Sequence, residues 1–130
     1  MNTVILGVGS NLDAKANIER ARGLISKKMT LTRESEFIET LAVDMPGEPD
    51  FLNGAFVVQT PLEVAELKSY LKGVEEELGR DPAHQENESR TIDLDIIVFN
   101  GKIVNDDFER YDFVRKSVLE LAPELIEQTN

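Results

Sequence analysis

The sequence predicts an α+β domain in which two helices pack on one face of an antiparallel sheet. Three observations predict it. Apolar, β-branched runs at residues 3–8, 51–60 and 91–99 read as strands, and two stretches behind Ala14 and Val64 repeat apolar residues at steps of three and four. With a weaker strand between residues 30 and 41, these segments alternate as β-α-β-β-α-β.

Each element has its own signal. Residues 3–8 (TVILGV) form a short run closed by Gly7 and Gly9. Ser10, Asn11 and Asp13 then offer helix-capping side chains, and Ala14, Ile18, Ala21, Ile25 and Met29 make an amphipathic stripe. Residues 30–41 mix Thr, Leu, Phe and Ile with polar residues in rough alternation and read as one strand. Residues 44–50, with two prolines and a glycine, read as a loop. Residues 51–60 (FLNGAFVVQT) follow as a long strand. Pro61 and Glu63 open a helix with Val64, Leu67, Leu71, Val74 and Leu78 on its apolar face, and Gly79 stops it. Residues 81–89 are polar and without period, a surface loop. Residues 91–99 are the strongest strand, Asn100-Gly101 signals a hairpin, and residues 102–105 are its short partner. The tail over residues 113–125 reads as a short helix ending near Pro123. The six-element order is the ferredoxin-like one, an α/β sandwich with a short C-terminal hairpin and helix appended.

Composition narrows the function classes. A length of 130 residues suits a single domain over 1–130, and 41% hydrophobic with 30% charged residues is ordinary for a globular chain. Fourteen Lys+Arg against 25 Asp+Glu leave a net charge of −11, which disfavours nucleic acid or an anionic membrane as partner and suits a divalent cation. The absence of cysteine excludes disulfides, thiolate metal sites and a Cys nucleophile, and the single histidine, His84, excludes a multi-His site. No apolar run approaches the roughly 20 residues of a membrane span, and the start has no basic leader region. The expectation is a cytoplasmic monomer without membrane or nucleic-acid partners.

The most informative segment is Arg90-Thr91-Ile92-Asp93-Leu94-Asp95-Ile96. Residues two apart on a strand share a face, about 6.5–7 Å between Cα atoms, so Asp93 and Asp95 project side by side and suit one or two cations. Ile92, Leu94, Ile96 and Val98 are expected on the other face, with Ile97 and Phe99 following the aspartates. Two solvated aspartates at an exposed strand end are the plainer alternative. Glu75 lies one helical step from the Leu71/Leu78 face and either points toward the sheet edge or joins Glu76 and Glu77 in a solvated acidic helix end. Gly7-Val8-Gly9-Ser10-Asn11-Leu12 lacks the third glycine of a dinucleotide loop and reads as a strand-to-helix turn with glycines at positive φ. His84 reads as a surface residue.

Four segments occur together in one order: Gly9-Ser10-Asn11-Leu12, Pro49-Asp50-Phe51-Leu52-Asn53, Glu75 through Leu78-Gly79-Arg80, and Arg90-Thr91-Ile92-Asp93-Leu94-Asp95-Ile96. That series resembles the 6-hydroxymethyl-7,8-dihydropterin pyrophosphokinases of folate biosynthesis, with a weaker echo over residues 119–125. The resemblance implies a ferredoxin-like fold and transfer of diphosphate from ATP to the pterin hydroxymethyl group, with ATP and a reduced pterin as partners. It implies that Asp93 and Asp95 hold two Mg²⁺ ions with ATP. It further implies that Asn53 hydrogen-bonds the pterin, that Thr40 and Val43 contact it through their backbone, and that Phe113 stacks on it. Glu75 and Ile96 fall at the family's nucleotide site, Arg80 and Arg90 on its phosphate-facing catalytic arginines, and Arg110 one residue from another arginine of that side. The sequence departs from the family in three places. Residues 81–89 carry three acids and no Lys, Arg or Trp; the stretch after Asn105 is short and lacks a histidine; and Thr40-Leu41-Ala42-Val43 replaces a Thr-x-Pro motif. These departures thin the ATP side and motivate an alternative, a non-catalytic pterin- or metabolite-binding relative.

Overall fold

The structure, a computed structural model, describes residues 1–40, 51–79 and 92–128. In chain order these form β1 (Asn2–Ser10), α1 (Ala14–Lys28), β2 (Thr30–Glu34), β3 (Ile38–Thr40), β4 (Phe51–Thr60), α2 (Val64–Glu77), β5 (Asp93–Phe99), β6 (Lys102–Ile103), α3 (Asp107–Arg110) and α4 (Asp112–Leu121), then a 3-10 turn over Pro123–Gln128. The sheet runs β2-β4-β1-β5-β6 with every pair antiparallel, and β3 extends β2 along the same edge of β4. This is the α+β architecture that the periodicities predict.

Alternation along the strands produces two cores, one on each sheet face. Val4, Leu6 and Val8 of β1 join Phe56 and Val58 of β4 and Leu94 of β5 beneath α1 and α2. Ile5, Ala55, Val57 and Ile97 face the other way and pack with Phe108, Val118, Leu121 and Leu125 from the C-terminal segment. Helix α1 buries Ile18, Ala21 and Ile25, and Met29 is buried just past its end, as the stripe predicts. Helix α2 buries Leu67, Leu71 and Val74 after a reciprocal Glu63/Glu66 capping box, whereas Val64, its first residue, stays exposed. Gly79, with φ of 98°, ends it as expected.

The structure corrects the sequence reading at several points. Helix α1 starts behind Asp13 in the left-handed region (φ 43°) without any side-chain cap, and Ser10 and Asn11 are buried instead. The single strand expected over residues 30–41 is two. Ser35 breaks it by bonding with both its backbone and its side chain: its N–H donates to the Ala55 carbonyl (2.9 Å), and its Oγ accepts from the Ala55 N–H (2.8 Å). The hairpin partner shrinks to Lys102–Ile103, behind a turn in which Asn100 and Gly101 both have positive φ. The tail helix expected over residues 113–125 is present as α4, ending just before Pro123; the addition is the four-residue α3 in front of it, and the segment covers the sheet face opposite α1 and α2. The loops expected at residues 44–50 and 81–89, with His84, lie outside the described residues.

A bulge in β5 matters most for function. Leu6 pairs with Ile96 but Ile5 pairs with Val98, so Ile97 is the extra residue. Ile97 and Val98 therefore both enter the C-terminal core, and Phe99 returns to the α1/α2 side. Val98 and Phe99 exchange the faces that strict alternation assigns them. Register upstream of the bulge is regular, so the Asp93/Asp95 pair keeps one face.

Phe37 follows the Ser35 break and lies flat over β4. A Cβ placed on Gly54 would meet its ring at 2.7 Å, and the same ring stands edge-on to Phe56 at 5.8 Å. Gly54→Ala is therefore expected to cost about 1–3 kcal/mol by overpacking. Urea unfolding would show it as a lower midpoint at unchanged slope.

Candidate active site

The site grows from one row of the sheet. Asp93 pairs with Gly9, Gly9 with Asn53, and Asn53 with Ile38, while one step along Asp95 pairs with Gly7 and Gly7 with Ala55. Paired residues share a face, so both aspartates and Asn53 rise on the C-terminal side of the sheet. Two strand spacings of about 4.8 Å separate the aspartate strand from Asn53, with glycines on the strand between them. Asp95 is exposed and Asp93 half-buried, whereas Asn53 is buried.

The glycines sit inside β1, and neither has the positive φ expected from the turn reading; among described glycines only Gly79 and Gly101 do. Their role is space. A Cβ on Gly9 would lie 2.6 Å from Asn53 Oδ1, so Asn53 can occupy its place only because position 9 carries no side chain. Asn53 Nδ2 in turn donates to Thr40 Oγ1 at 2.6 Å, which brings two of the expected pterin residues together.

Glu75 does not join the solvated acidic end; Glu76 and Glu77 do. Only 8% of Glu75 is exposed, and its Oε2 accepts from the Leu94 N–H at 2.8 Å, the peptide between the two aspartates. The side chain of Ile96 packs with the α1/α2 core, on the face opposite the aspartates. Arg110 is exposed at the end of α3, and Phe113, half-buried in the first turn of α4, stacks on Tyr111 with ring centroids 5.4 Å apart. Val43, Arg80 and Arg90 lie outside the described residues. Sequence reasoning missed Gly7 and Gly9 as part of the site; their signal was a glycine at alternate positions of an otherwise apolar strand.

The donor set suits Mg²⁺. Asp93 and Asp95 offer hard oxygens on one face, and no third His, Cys, Asp or Glu joins a metal-holding group among the described residues. Mg²⁺ ordinarily takes one or two carboxylates and completes its octahedron with water and substrate phosphate, so two carboxylates above a glycine floor fit a metal shared with a phosphate. An open groove of about 580 Å³ beside Lys15, Glu39 and Leu52 lies elsewhere, on the α1 side of the sheet.

The 7,8-dihydro-6-hydroxymethylpterin-pyrophosphokinase family model matches residues 5–123. The chain belongs to this family. It is 34% identical to the folate synthesis bifunctional protein of Arabidopsis thaliana over 79% of this chain and 22% of that protein. It is 32% identical to the folic acid synthesis protein of Dictyostelium discoideum over 98% of this chain and 21% of that protein. The chain thus spans about a fifth of those two relatives. Against the 2-amino-4-hydroxy-6-hydroxymethyldihydropteridine pyrophosphokinase of Haemophilus influenzae, identity is 27% over 97% of this chain and 85% of that one. Among the described residues no helix of this family member is long and apolar enough to cross a membrane.

Proposed function

We propose that residues 1–130 work as a single pyrophosphokinase unit that transfers the β,γ-diphosphate of ATP to the hydroxymethyl group of 6-hydroxymethyl-7,8-dihydropterin, releasing AMP. Membership of the family supports the reaction. What carries it to these residues is the row in which Asp93 and Asp95 stand across glycine-bearing β1 from Asn53. In this reading a metal–phosphate subsite at Asp93 and Asp95 adjoins a pterin subsite at Asn53 and Thr40.

In this reading Asp93 and Asp95 hold two Mg²⁺ ions with the triphosphate. Held by these carboxylates, Mg²⁺ would supply positive charge to offset that of the transferring diphosphoryl group. Asn53, oriented by Thr40, hydrogen-bonds the pterin edge; Thr40 and Val43 contribute backbone contacts and Phe113 a stacking surface. Glu75, Ile96 and Arg110 serve the nucleotide side, and Arg80 and Arg90 meet the phosphates. The hydroxymethyl oxygen bonds to the β-phosphorus as the bond from that phosphorus to the α,β-bridging oxygen breaks. AMP leaves, and the hydroxyl proton passes to solvent. The protein's contribution is mainly alignment of two substrates in line, which the rigid sheet supplies.

Incubation with ATP, Mg²⁺ and hydroxymethyldihydropterin is expected to release AMP, and EDTA to stop it. No AMP above the enzyme-free control, together with calorimetric uptake of pterin but not of ATP·Mg²⁺, overturns the reading in favour of a binding relative.

A further inference from the structure

Among the described residues, strand β5 has a partner strand on both edges only near its end. On the β1 side it is paired from Asp93 to Phe99, but β6 pairs only with Val98 and Phe99. The stretch that carries the aspartates therefore has no partner strand on its second edge among the described residues. A buried backbone N–H on such an edge needs an acceptor. Leu94 is 5% exposed, and the acceptor its N–H finds is the Glu75 carboxylate of α2.

The direction of that bond has a consequence for the neighbouring residues. Hydrogen-bonding groups alternate between the two edges of a strand, so when Leu94 turns toward Glu75, Asp93 and Asp95 turn theirs toward β1, opposite Gly9 and Gly7. Among the described contacts, the β1 ladder meets the aspartate stretch from one edge and the Glu75 side chain meets it from the other. We infer that Glu75 is a positioning residue for the aspartate pair: it replaces the missing strand at Leu94 and so sets the angle at which Asp93 and Asp95 meet a metal–nucleotide complex. The inference rests on the reading of those aspartates as the metal carboxylates, and gives Glu75 an indirect part in the nucleotide side.

The choice of a carboxylate here is informative. A buried Glu beside two aspartates adds like charge to a chain already at −11, a cost that core packing alone would not select. What the side chain supplies is an acceptor for the buried Leu94 N–H, a donor that is costly to leave unpaired.

The test compares Glu75→Met, which keeps volume but accepts no strong hydrogen bond, with Glu75→Gln, which keeps an acceptor. Mn²⁺ affinity is read by electron paramagnetic resonance in the presence of α,β-methylene-ATP, which cannot undergo transfer. The Leu94 amide is followed by ¹⁵N NMR and the fold by circular dichroism. Glu75→Met is expected to shift the Leu94 amide and lower Mn²⁺ affinity about 10- to 100-fold, the usual effect of losing a group that orients metal ligands, while Glu75→Gln stays within about 3-fold of wild type. Equal Mn²⁺ affinity in wild type and folded Glu75→Met overturns the positioning role alone. A folded Glu75→Gln as weak as Glu75→Met also overturns it. A wild-type chain that holds no Mn²⁺ overturns the metal reading and this inference together.

Discussion

Asp95→Ala should leave the sheet intact and lower AMP release by about 10³-fold. Asp95 is exposed, so its carboxylate makes little contribution to burial, and surface replacements ordinarily change stability by less than about 0.5 kcal/mol. Its expected effect is on the reaction. A metal clamp on a transferring phosphoryl group is worth several kcal/mol, and about 4 kcal/mol corresponds to that thousandfold. Asp95→Asn should lose nearly as much despite its closer shape, because the amide cannot supply the negative charge. Unchanged unfolding midpoints with lost AMP release are the expected pair of results. AMP release at the wild-type rate from either variant would remove Asp95 from the site.

The second large effect is expected from Gly9→Ala, a single methyl group. Its Cβ would lie 2.6 Å from Asn53 Oδ1, and Gly9 and Asn53 are both buried. Asn53 must rotate away, breaking its bond to Thr40 and leaving buried polar atoms to find other partners, at about 1–3 kcal/mol. If Asn53 orients the pterin, KM for the pterin should rise about 10- to 100-fold, with a much smaller change in KM for ATP. A double-mutant cycle separates this from general overpacking. In an Asn53→Ala background, Gly9→Ala should add little to the pterin KM, since the group it displaces is gone. Fully additive effects would mean that the glycine serves only packing.

Legibility of the site followed the range of the physics involved. The shared face of Asp93 and Asp95 was readable because strand alternation is a local rule, valid until a bulge interrupts it. Just beyond them the rule failed: Ile97 is inserted between the pairs Leu6–Ile96 and Ile5–Val98, so Val98 and Phe99 swap sides. Nothing in the run Ile96-Ile97-Val98-Phe99 marks which residue is the extra one, because all four are apolar and both faces of the sheet are covered. Glu75 was ambiguous for a similar reason. One helical position cannot show whether a carboxylate meets water or an unpaired N–H on a strand 19 residues later.

The sequence by itself determined the periodicities, hence the α+β class, the extents of β4 and α2 to within a residue or two, and the pairing of two carboxylates on one strand face. It also carried the ordered motifs that mark the family. Only the tertiary structure decided what those carboxylates face. The β1 register sets Gly9 between Asp93 and Asn53, the Ser35 break frees β3 to bring Thr40 to Asn53, and α2 delivers Glu75 to Leu94. Periodicity is written in neighbours along the chain, whereas register and the satisfaction of buried N–H groups depend on residues brought together from far apart.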